Sequence, residues 1–247
     1  MSSMKIAAIS DVHVKVPHDE ADKLLCRFLD HQLVKKSDYI LLLGDIFDLM
    51  CGPHDEYLTS FSHIFKKMEA LAKAGKKVYF FEGNHDVHLE KLFNKSSMKG
   101  KILLSQLPVI EEIEGQSYYF SHGDEHEIEN LSYQRYKQLI LSRPLKFVAN
   151  HVMPYWLLNF LGERASKMSR KKGSKKFDAK GVRDKFRDGV TKTTEGKFNF
   201  VLGGHSHVQD SFSISHGSTY INNGYALNSK TFLYIEDHHA RFEPLST

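Results

Sequence analysis

Side chains that can bind metal ions follow short apolar runs at five places in this 247-residue chain. Each run ends in Asp, Asn or His: IAAIS in Asp11 and His13, YILLL in Asp45, VYFFE in Asn84 and His85, SYYF in His122, and FNFVL in His205 and His207. Oxygen and imidazole donors suit borderline divalent ions such as Mn, Fe or Zn. No Cys takes part, which argues against a structural thiolate zinc site.

Alternating strands and helices must position these donors. Residues 4–10 and the segments DYILLLGD and KKVYFFEG predict buried strands, whereas residues 19–33 and 55–75 carry apolar residues at helical spacing. This alternation predicts βαβ units around a largely parallel sheet, and ligands bind at the carboxyl ends of strands in such sheets. The shorter runs KILLS, VIEEI and QSYYFSH indicate a second, antiparallel or mixed sheet, and three later runs, KFNFVLGGH, STYINNG and KTFLYIED, should complete the core.

The length favours one domain, residues 1–247, with a helical insertion at residues 129–194. The net charge is +4, but residues 163–197 hold 13 Lys or Arg and 5 Asp or Glu, a local charge of +8. The rest of the chain therefore carries −4. This segment is either a binding site for a polyanion or a solvated basic loop.

Composition and the terminal sequence exclude some classes of protein. Cys26 and Cys51 have no metal-site spacing, so two reduced thiols in a cytoplasmic protein are expected. The first residues show no signal-peptide pattern, and no apolar run approaches the roughly 20 residues that cross a bilayer. Any membrane contact should be peripheral.

The five motifs resemble the signature of the calcineurin-like metallophosphoesterase superfamily over residues 5 to about 236. The matching segments are Asp11-x-His13, Gly44-Asp45-x-x-Asp48, Gly83-Asn84-His85-Asp86, His122 and Gly204-His205-x-His207. The resemblance implies an α/β fold in which two mixed sheets form a sandwich flanked by helices. It also implies two divalent ions, for which manganese is the expected metal.

The same resemblance implies a role for each motif residue. Asp11, His13 and His207 would hold one ion, Asn84, His122 and His205 the other, and Asp45 would bridge them. Two ions about 3.5–4 Å apart can polarise a phosphoryl oxygen and acidify a water molecule. His85 would act on the phosphate and its leaving oxygen, with Asp86 orienting it. The remaining histidines, including His18 and His63, match no motif and are expected to be surface or core residues.

Residues 122–176 resemble the same region of UDP-2,3-diacylglucosamine pyrophosphohydrolases. This resemblance implies cleavage of the diphosphate of UDP-2,3-diacylglucosamine to 2,3-diacylglucosamine 1-phosphate (lipid X) and UMP, a step of lipid A biosynthesis at the cytoplasmic face of the inner membrane. An apolar lid would hold the acyl chains, and basic residues would meet the diphosphate or an anionic membrane surface. The expected substrate contacts are Asn84, His85, Asn130, Tyr133, Arg135, Phe147, Trp156, Lys167, Ser169, Lys172 and Lys176.

Two positions depart from that family and keep other readings open. The pyrophosphohydrolases typically carry Arg at the position of His85 and a second Asp at the position of Asn130. The alternative is therefore a metallophosphoesterase for another phosphoester, such as a cyclic nucleotide, another nucleotide diphosphate or a phospholipid. A third reading is a non-catalytic adaptor for nucleic acid or membrane that uses the basic segment, although no nucleic-acid partner is expected. The sequence leaves the oligomeric state open.

Overall fold

The computed structural model describes residues 3–160 and 177–245, apart from the side chain of His216. The described strands are β1 (Lys5–Ile9), β2 (Tyr39–Leu42), β3 (Met50–Cys51), β4 (Lys77–Phe81), β5 (Asp86–Val87), β6 (Ile102–Ser105), β7 (Val109–Ile113), β8 (Gln116–Phe120), β9 (Phe200–Gly203), β10 (Asp210–Ser213), β11 (Thr219–Asn222), β12 (Thr231–Glu236) and β13 (His239–Pro244). Most of them belong to two mixed sheets.

Helices flank these sheets. They are α1 (Glu20–Asp30), α2 (Gln32–Lys36), α3 (Asp55–Ser60), α4 (Ser62–Lys73), α5 (Glu90–Lys95), α6 (Leu131–Ile140), α7 (Arg143–His151), α8 (155–160, up to the end of the described segment), α9 (Ala179–Thr194) and α10 (Ala226–Ser229). Short 3₁₀ turns at Asp124–His126 and Ser215–Gly217 complete the regular structure.

The first sheet has the strand order β13-β12-β1-β2-β4-β6, with β1, β2, β4 and β6 parallel. The second has the order β10-β11-β9-β8-β7, in which β8, β9 and β11 are parallel. The predicted sandwich of two mixed sheets flanked by helices is confirmed. The run KILLS, expected in the second sheet, instead forms β6 at the edge of the first, because it pairs in parallel with β4.

The two faces of the first sheet build two cores, because successive side chains of a strand point to opposite faces. Ala7 and Ile9 of β1 face α1 and α4, whereas Ile6 and Ala8 face the second sheet. Between the sheets these residues join a buried aromatic and aliphatic layer. The layer includes Leu41, Tyr79, Tyr118, Phe120, Leu202 and Ile221. This layer fixes the position of the strand ends of both sheets.

The two long predicted helices are each interrupted in the structure. The first ends at Asp30 because His31 leaves helical backbone angles, and the His31 side chain then caps α2. The second breaks at Phe61, the residue between α3 and α4. The helix in the apolar segment after Ser142 ends before Pro154. Proline has no backbone N–H, so it cannot donate the hydrogen bond that would continue the helix.

Helices α6 to α9 lie within residues 129–194, the range predicted as an insertion. Ala149 and Leu158 pack onto Cys51 and Val87 of the small sheet formed by β3 and β5. Apolar side chains are exposed along α6 to α8: Leu131, Leu139, Phe147, Val152 and Trp156 are between 59% and 69% exposed. No helix among the described residues is both long enough and apolar enough to cross a bilayer.

Candidate metal centre

The five predicted strand ends meet at one edge of the sandwich. Strands β1, β2 and β4 of the first sheet deliver Asp11, Asp45 and Asn84, while β8 and β9 of the second deliver His122 and His205. The loops turn sharply at these points. Positive φ angles, which are rare outside glycine, occur at Asp11, His13, Asp45, His205 and His207. The surrounding packing therefore holds the backbone of these five residues in a strained conformation.

One donor cluster consists of Asp11, His13, Asp45 and His207, whose ligand atoms all lie within 4.8 Å of one another. The Nε2 atoms of His13 and His207 are 3.2 Å apart, and His207 Nε2 lies 3.3 Å from Asp11 Oδ1. Two imidazole lone pairs at this distance repel each other unless a proton or a cation lies between them. The cluster therefore suits a bound cation.

A second cluster contains Asp45, His122 and His205. His122 donates its Nδ1–H to the carbonyl of Leu43 over 2.9 Å, since a carbonyl can only accept. In neutral His122 this leaves Nε2 as an unprotonated donor to a metal, 3.4 Å from Oδ1 of Asn84. The amide oxygen of Asn84 thus joins this second set.

Asp45 is common to both clusters, and its two oxygens have different environments. Oδ1 accepts the backbone N–H groups of Asn84 and His85, each at 2.9 Å. Oδ2 lies 3.9 Å from His13 Nε2 and 3.7 Å from His122 Nε2. The first oxygen thus fixes the carboxylate to the β4 loop, and the second faces both clusters. The structure brings all seven predicted ligands together, and metal ligation itself stays a prediction.

His85 lies at the same edge, and its ring is 4.8 Å from that of His13. Its Nδ1–H donates to the carbonyl of Asp48 over 2.7 Å, which leaves Nε2 for a substrate. The prediction that Asp86 orients His85 is wrong. The Asp86 carboxylate is fully buried and accepts four backbone N–H groups, from Gly83, Asp45, Ile46 and Phe47, so it joins the β2 and β4 loops instead.

The electrostatics of this edge favour positive charge. Burial alone would raise the pKa of Asp11, but the hydrogen bond and charge of His207, together with His122 and His13, lower it. Burial would lower the pKa of His122, yet Asp45, Asp11 and Asp124 raise it to about 9. Carboxylates that attract a proton this strongly would also attract a divalent cation. The donor set of oxygen and nitrogen atoms therefore fits two divalent ions.

Asp124 and Tyr133 connect helix α6 to the centre, and sequence reasoning gave Asp124 no role. Asp124 accepts a hydrogen bond from the Tyr133 hydroxyl over 2.9 Å. It also forms an ion pair with Lys137, with a distance of 2.8 Å between the charged atoms. The Tyr133 hydroxyl also lies 3.4 Å from Oδ1 of Asn84. The signal for Asp124 was its place in the same His-Gly-Asp segment as His122.

Glu127 is a second residue that sequence reasoning missed. Its Oε2 accepts a hydrogen bond from Nε2–H of His205 over 2.9 Å, which in the neutral imidazole leaves Nδ1 of His205 to face a metal. Nothing in the sequence around Glu127 distinguishes it from other surface carboxylates. Together with His126, Asn130, Lys185 and Phe186 it lines a cavity of about 490 Å³ beside His205.

The other predicted substrate contacts have varied positions. Asn130 caps helix α6 by accepting the Tyr133 N–H, and Arg135 is exposed. Phe147 and Trp156 are exposed on the apolar side of α7 and α8. Lys167, Ser169, Lys172 and Lys176 lie outside the described residues.

The family model for calcineurin-like phosphoesterases matches residues 4–209, which include every predicted ligand. The chain belongs to this family. It is thus a metal-dependent phosphoesterase, and the two donor clusters are the candidates for the dinuclear site that such enzymes use.

Similar proteins agree with this membership. The UDP-2,3-diacylglucosamine hydrolase of Aliivibrio fischeri strain MJ11 is 26% identical over 208 residues, which cover 84% of this chain and 83% of that protein. The enzyme of the same name from Pasteurella multocida strain Pm70 is 28% identical over 202 residues, 81% of each chain. A dimetal phosphatase from Danio rerio has a similar fold, with a TM-score of 0.51 at 12% identity over 100% of this chain and 98% of that one.

Proposed function

We propose that this phosphoesterase hydrolyses the diphosphate of UDP-2,3-diacylglucosamine to 2,3-diacylglucosamine 1-phosphate (lipid X) and UMP. The observation that carries the proposal is the likeness to two hydrolases of that name over more than four fifths of the chain. The donor clusters around Asp45 and the apolar helices beside them support it.

The chain's own residues have distinct tasks in this reaction. When bound, two divalent ions, with manganese the expected metal, polarise a phosphoryl oxygen and acidify a water molecule. Asp45 holds its Oδ2 between the two clusters. His85 presents Nε2 to the developing charge or the leaving oxygen, because Nδ1 is held by the Asp48 carbonyl. Hydrolysis breaks one P–O bond of the diphosphate bridge: the hydroxide of a water molecule adds to one phosphorus, and its proton goes to the oxygen of the departing phosphate.

The surroundings of the centre support an acylated nucleotide. The cavity beside His205 has a volume of about 490 Å³, which falls within the range of small-ligand sites and is adequate for a nucleoside. Phe147 and Trp156 offer exposed apolar surface for acyl chains, each buried methylene contributing about 0.8 kcal/mol. The Tyr133 hydroxyl lies 3.4 Å from Oδ1 of Asn84, within reach of a substrate at the centre.

We place the protein at the cytoplasmic face of the inner membrane as a peripheral enzyme. The exposed apolar side of α6 to α8 adjoins a segment of high positive charge in the sequence, a combination that favours an anionic interface. On α9 part of that charge is already neutralised, because Arg187 binds Asp210 through two hydrogen bonds of 2.8 and 2.6 Å. The contact should therefore depend on the basic residues before α9.

The substrate assignment is tested with purified protein and manganese. The protein is offered the acylated UDP-sugar, its deacylated counterpart, cyclic nucleotides and single-stranded DNA. We expect turnover of the acylated sugar to exceed the others. Trp156→Ala should raise KM for that substrate alone, while Leu107→Ala, a change at a 74% exposed residue of the β6–β7 loop, should leave it unchanged. Preference for any other compound would overturn the assignment.

A second phosphoester class remains the alternative because of His85. At this position the resembling pyrophosphohydrolases carry Arg, which can bind a diphosphate through two parallel hydrogen bonds. If the diphosphate is the substrate, His85→Arg should keep more activity than His85→Ala on the UDP-sugar. Equal loss in both variants, together with turnover of a monoester or cyclic nucleotide, would favour the alternative.

A further inference from the structure

A separate group of metal-capable side chains lies on α1 and α4, away from the candidate centre. Nε2 of His63 is 2.8 Å from Oδ1 and 2.7 Å from Oδ2 of Asp22. An imidazole nitrogen of His18 completes a set of three donors within 4.8 Å of one another. Asp22 is only 1% exposed, whereas His18 is exposed. The group is thus a surface site with a buried carboxylate at its base.

The His18 ring is held over this group by its own backbone and by stacking. The backbone N–H of His18 donates to Oδ2 of Asp22 over 2.6 Å, and the φ angle of His18, 66°, is in the left-handed region. The His18 and His63 rings stack with centroids 4.9 Å apart. Among the described residues, none hydrogen-bonds to a ring nitrogen of His18. Those nitrogens are therefore available to a ligand from outside.

Cys26 lies beside this set on the same face of α1, although its sulfur is not among the donor atoms that all lie within 4.8 Å of one another. It lies one helical turn after Asp22, and its thiol donates to Oδ1 of Asp22 over 3.3 Å. Burial and the negative charge of Asp22 raise the pKa of Cys26 to about 12, so the thiol is protonated without a cation. A bound cation would stabilise the thiolate and release that proton.

We propose that His18, Asp22 and His63 form a third cation site, distinct from the dinuclear centre and selective for Zn²⁺, and that Cys26 turns toward the bound ion as its fourth ligand. Two nitrogens, one oxygen and one sulfur are the donors found in four-coordinate zinc sites. The dinuclear centre, by contrast, has nitrogen and oxygen donors without sulfur.

The place of the site in the fold suggests a structural task. Residues 14–18 lead from the predicted ligand His13 to α1, and the bridge of Val14 to Phe47 and the ion pair of Lys15 with Asp48 hold the start of this loop to the β2 side. A cation shared by His18, α1 and α4 would fix the far end of the loop. It would thereby limit movement of His13 without touching the substrate.

Zinc stoichiometry tests the proposal in the full chain. Wild type, His63→Gln and His18→Gln are equilibrated with buffered free zinc, and bound zinc per chain is measured by elemental analysis. We expect one zinc fewer per chain in both variants. His239→Gln, at an exposed histidine of β13, is the matched control and should bind as many zinc ions as wild type. Equal zinc in all four proteins would show that Asp22 and His63 form an ion pair alone and would overturn the proposal.

Cobalt reports on the sulfur ligand. Co²⁺-loaded wild type should show a thiolate-to-cobalt absorption band that is lost in Cys26→Ser. His18 is exposed, so His18→Gln should fold even if His63→Gln does not. No band in wild type, or a band that persists in Cys26→Ser, would overturn the assignment of Cys26.

Discussion

At the scale of single residues, Asp45 is the residue that the two donor clusters share. One of its oxygens is fixed by two backbone N–H groups, and the other faces histidines from both clusters. A motif in the sequence could indicate that Asp45 belongs to the centre. The different environments of its two oxygens depend on the β4 loop and could be seen only in the fold.

Asp45→Ala should reduce phosphoesterase activity by more than about 100-fold, because even residues that only support metal ligands cost 10–100-fold when changed. Bound metal per chain should also fall. Asp184→Ala, at an exposed carboxylate of α9, is the control and should retain both. Full activity in Asp45→Ala would show that this carboxylate does not bridge two ions.

His85→Gln should reduce kcat by about 10²- to 10⁴-fold, the usual contribution of a general acid or base. Metal content should stay at the wild-type level, because His85 is not among the seven predicted ligands. The measurement is single-turnover kinetics alongside elemental analysis. Loss of metal in this variant would reassign His85 as a ligand.

At the scale of elements, glycines allow the loops to approach the centre. A Cβ at Gly204 would lie 2.5 Å from Oδ2 of Asp11 and 2.6 Å from the Ser10 side chain. A Cβ at Gly44 would lie 2.5 Å from Nδ1 of His122. Both positions lack room for any side chain. The sequence indicates a sharp turn at such glycines, but it does not show which ligand each one touches.

Gly204→Ala should therefore lose metal and activity through displacement of Asp11. The matched control is Gly115→Ala in the β7–β8 turn, where a Cβ meets nothing within 4 Å. Gly115 has a φ of 78°, so the control should cost about 1 kcal/mol in stability while activity is kept. Metal content and turnover are measured in both variants. Wild-type activity in Gly204→Ala would mean that the β9 loop can move without disturbing Asp11.

The elements were predictable where their pattern was local. Strands β1, β2 and β4 are short apolar runs. Their alternation with helices along the chain predicted the parallel sheet. The edge strands β10 and β13 were not predicted, because DSFS and HARFEP contain too many polar residues to read as core strands. Their pairing with β11 and β12 is a long-range property. Similarly, Asp86 was misassigned because its four N–H donors come from two separate loops.

At the scale of the whole molecule, the layer between the sheets keeps the two halves of the centre in register. Phe120 is fully buried in this layer and ends the strand that precedes His122. Phe120→Ala should lower the free energy of unfolding by about 3–5 kcal/mol, as usual for a large buried side chain. Urea unfolding of the variant and of Leu107→Ala, an exposed control, provides the measurement. A change below about 1 kcal/mol would mean that the sheets do not depend on this contact.

The predicted ligands run from Asp11 near one end of the chain to His207 near the other, and they come from both sheets. An unfolded chain cannot hold these ligands together, so the metal ions bind only the folded protein. A higher concentration of free metal therefore shifts the folding equilibrium toward the folded state. Each tenfold rise in free manganese above saturation should add about 1.4 kcal/mol per bound ion to the free energy of unfolding. Thermal midpoints that do not depend on manganese concentration would contradict this. A cell short of the metal would then lose the enzyme by proteolysis as well as by inactivity.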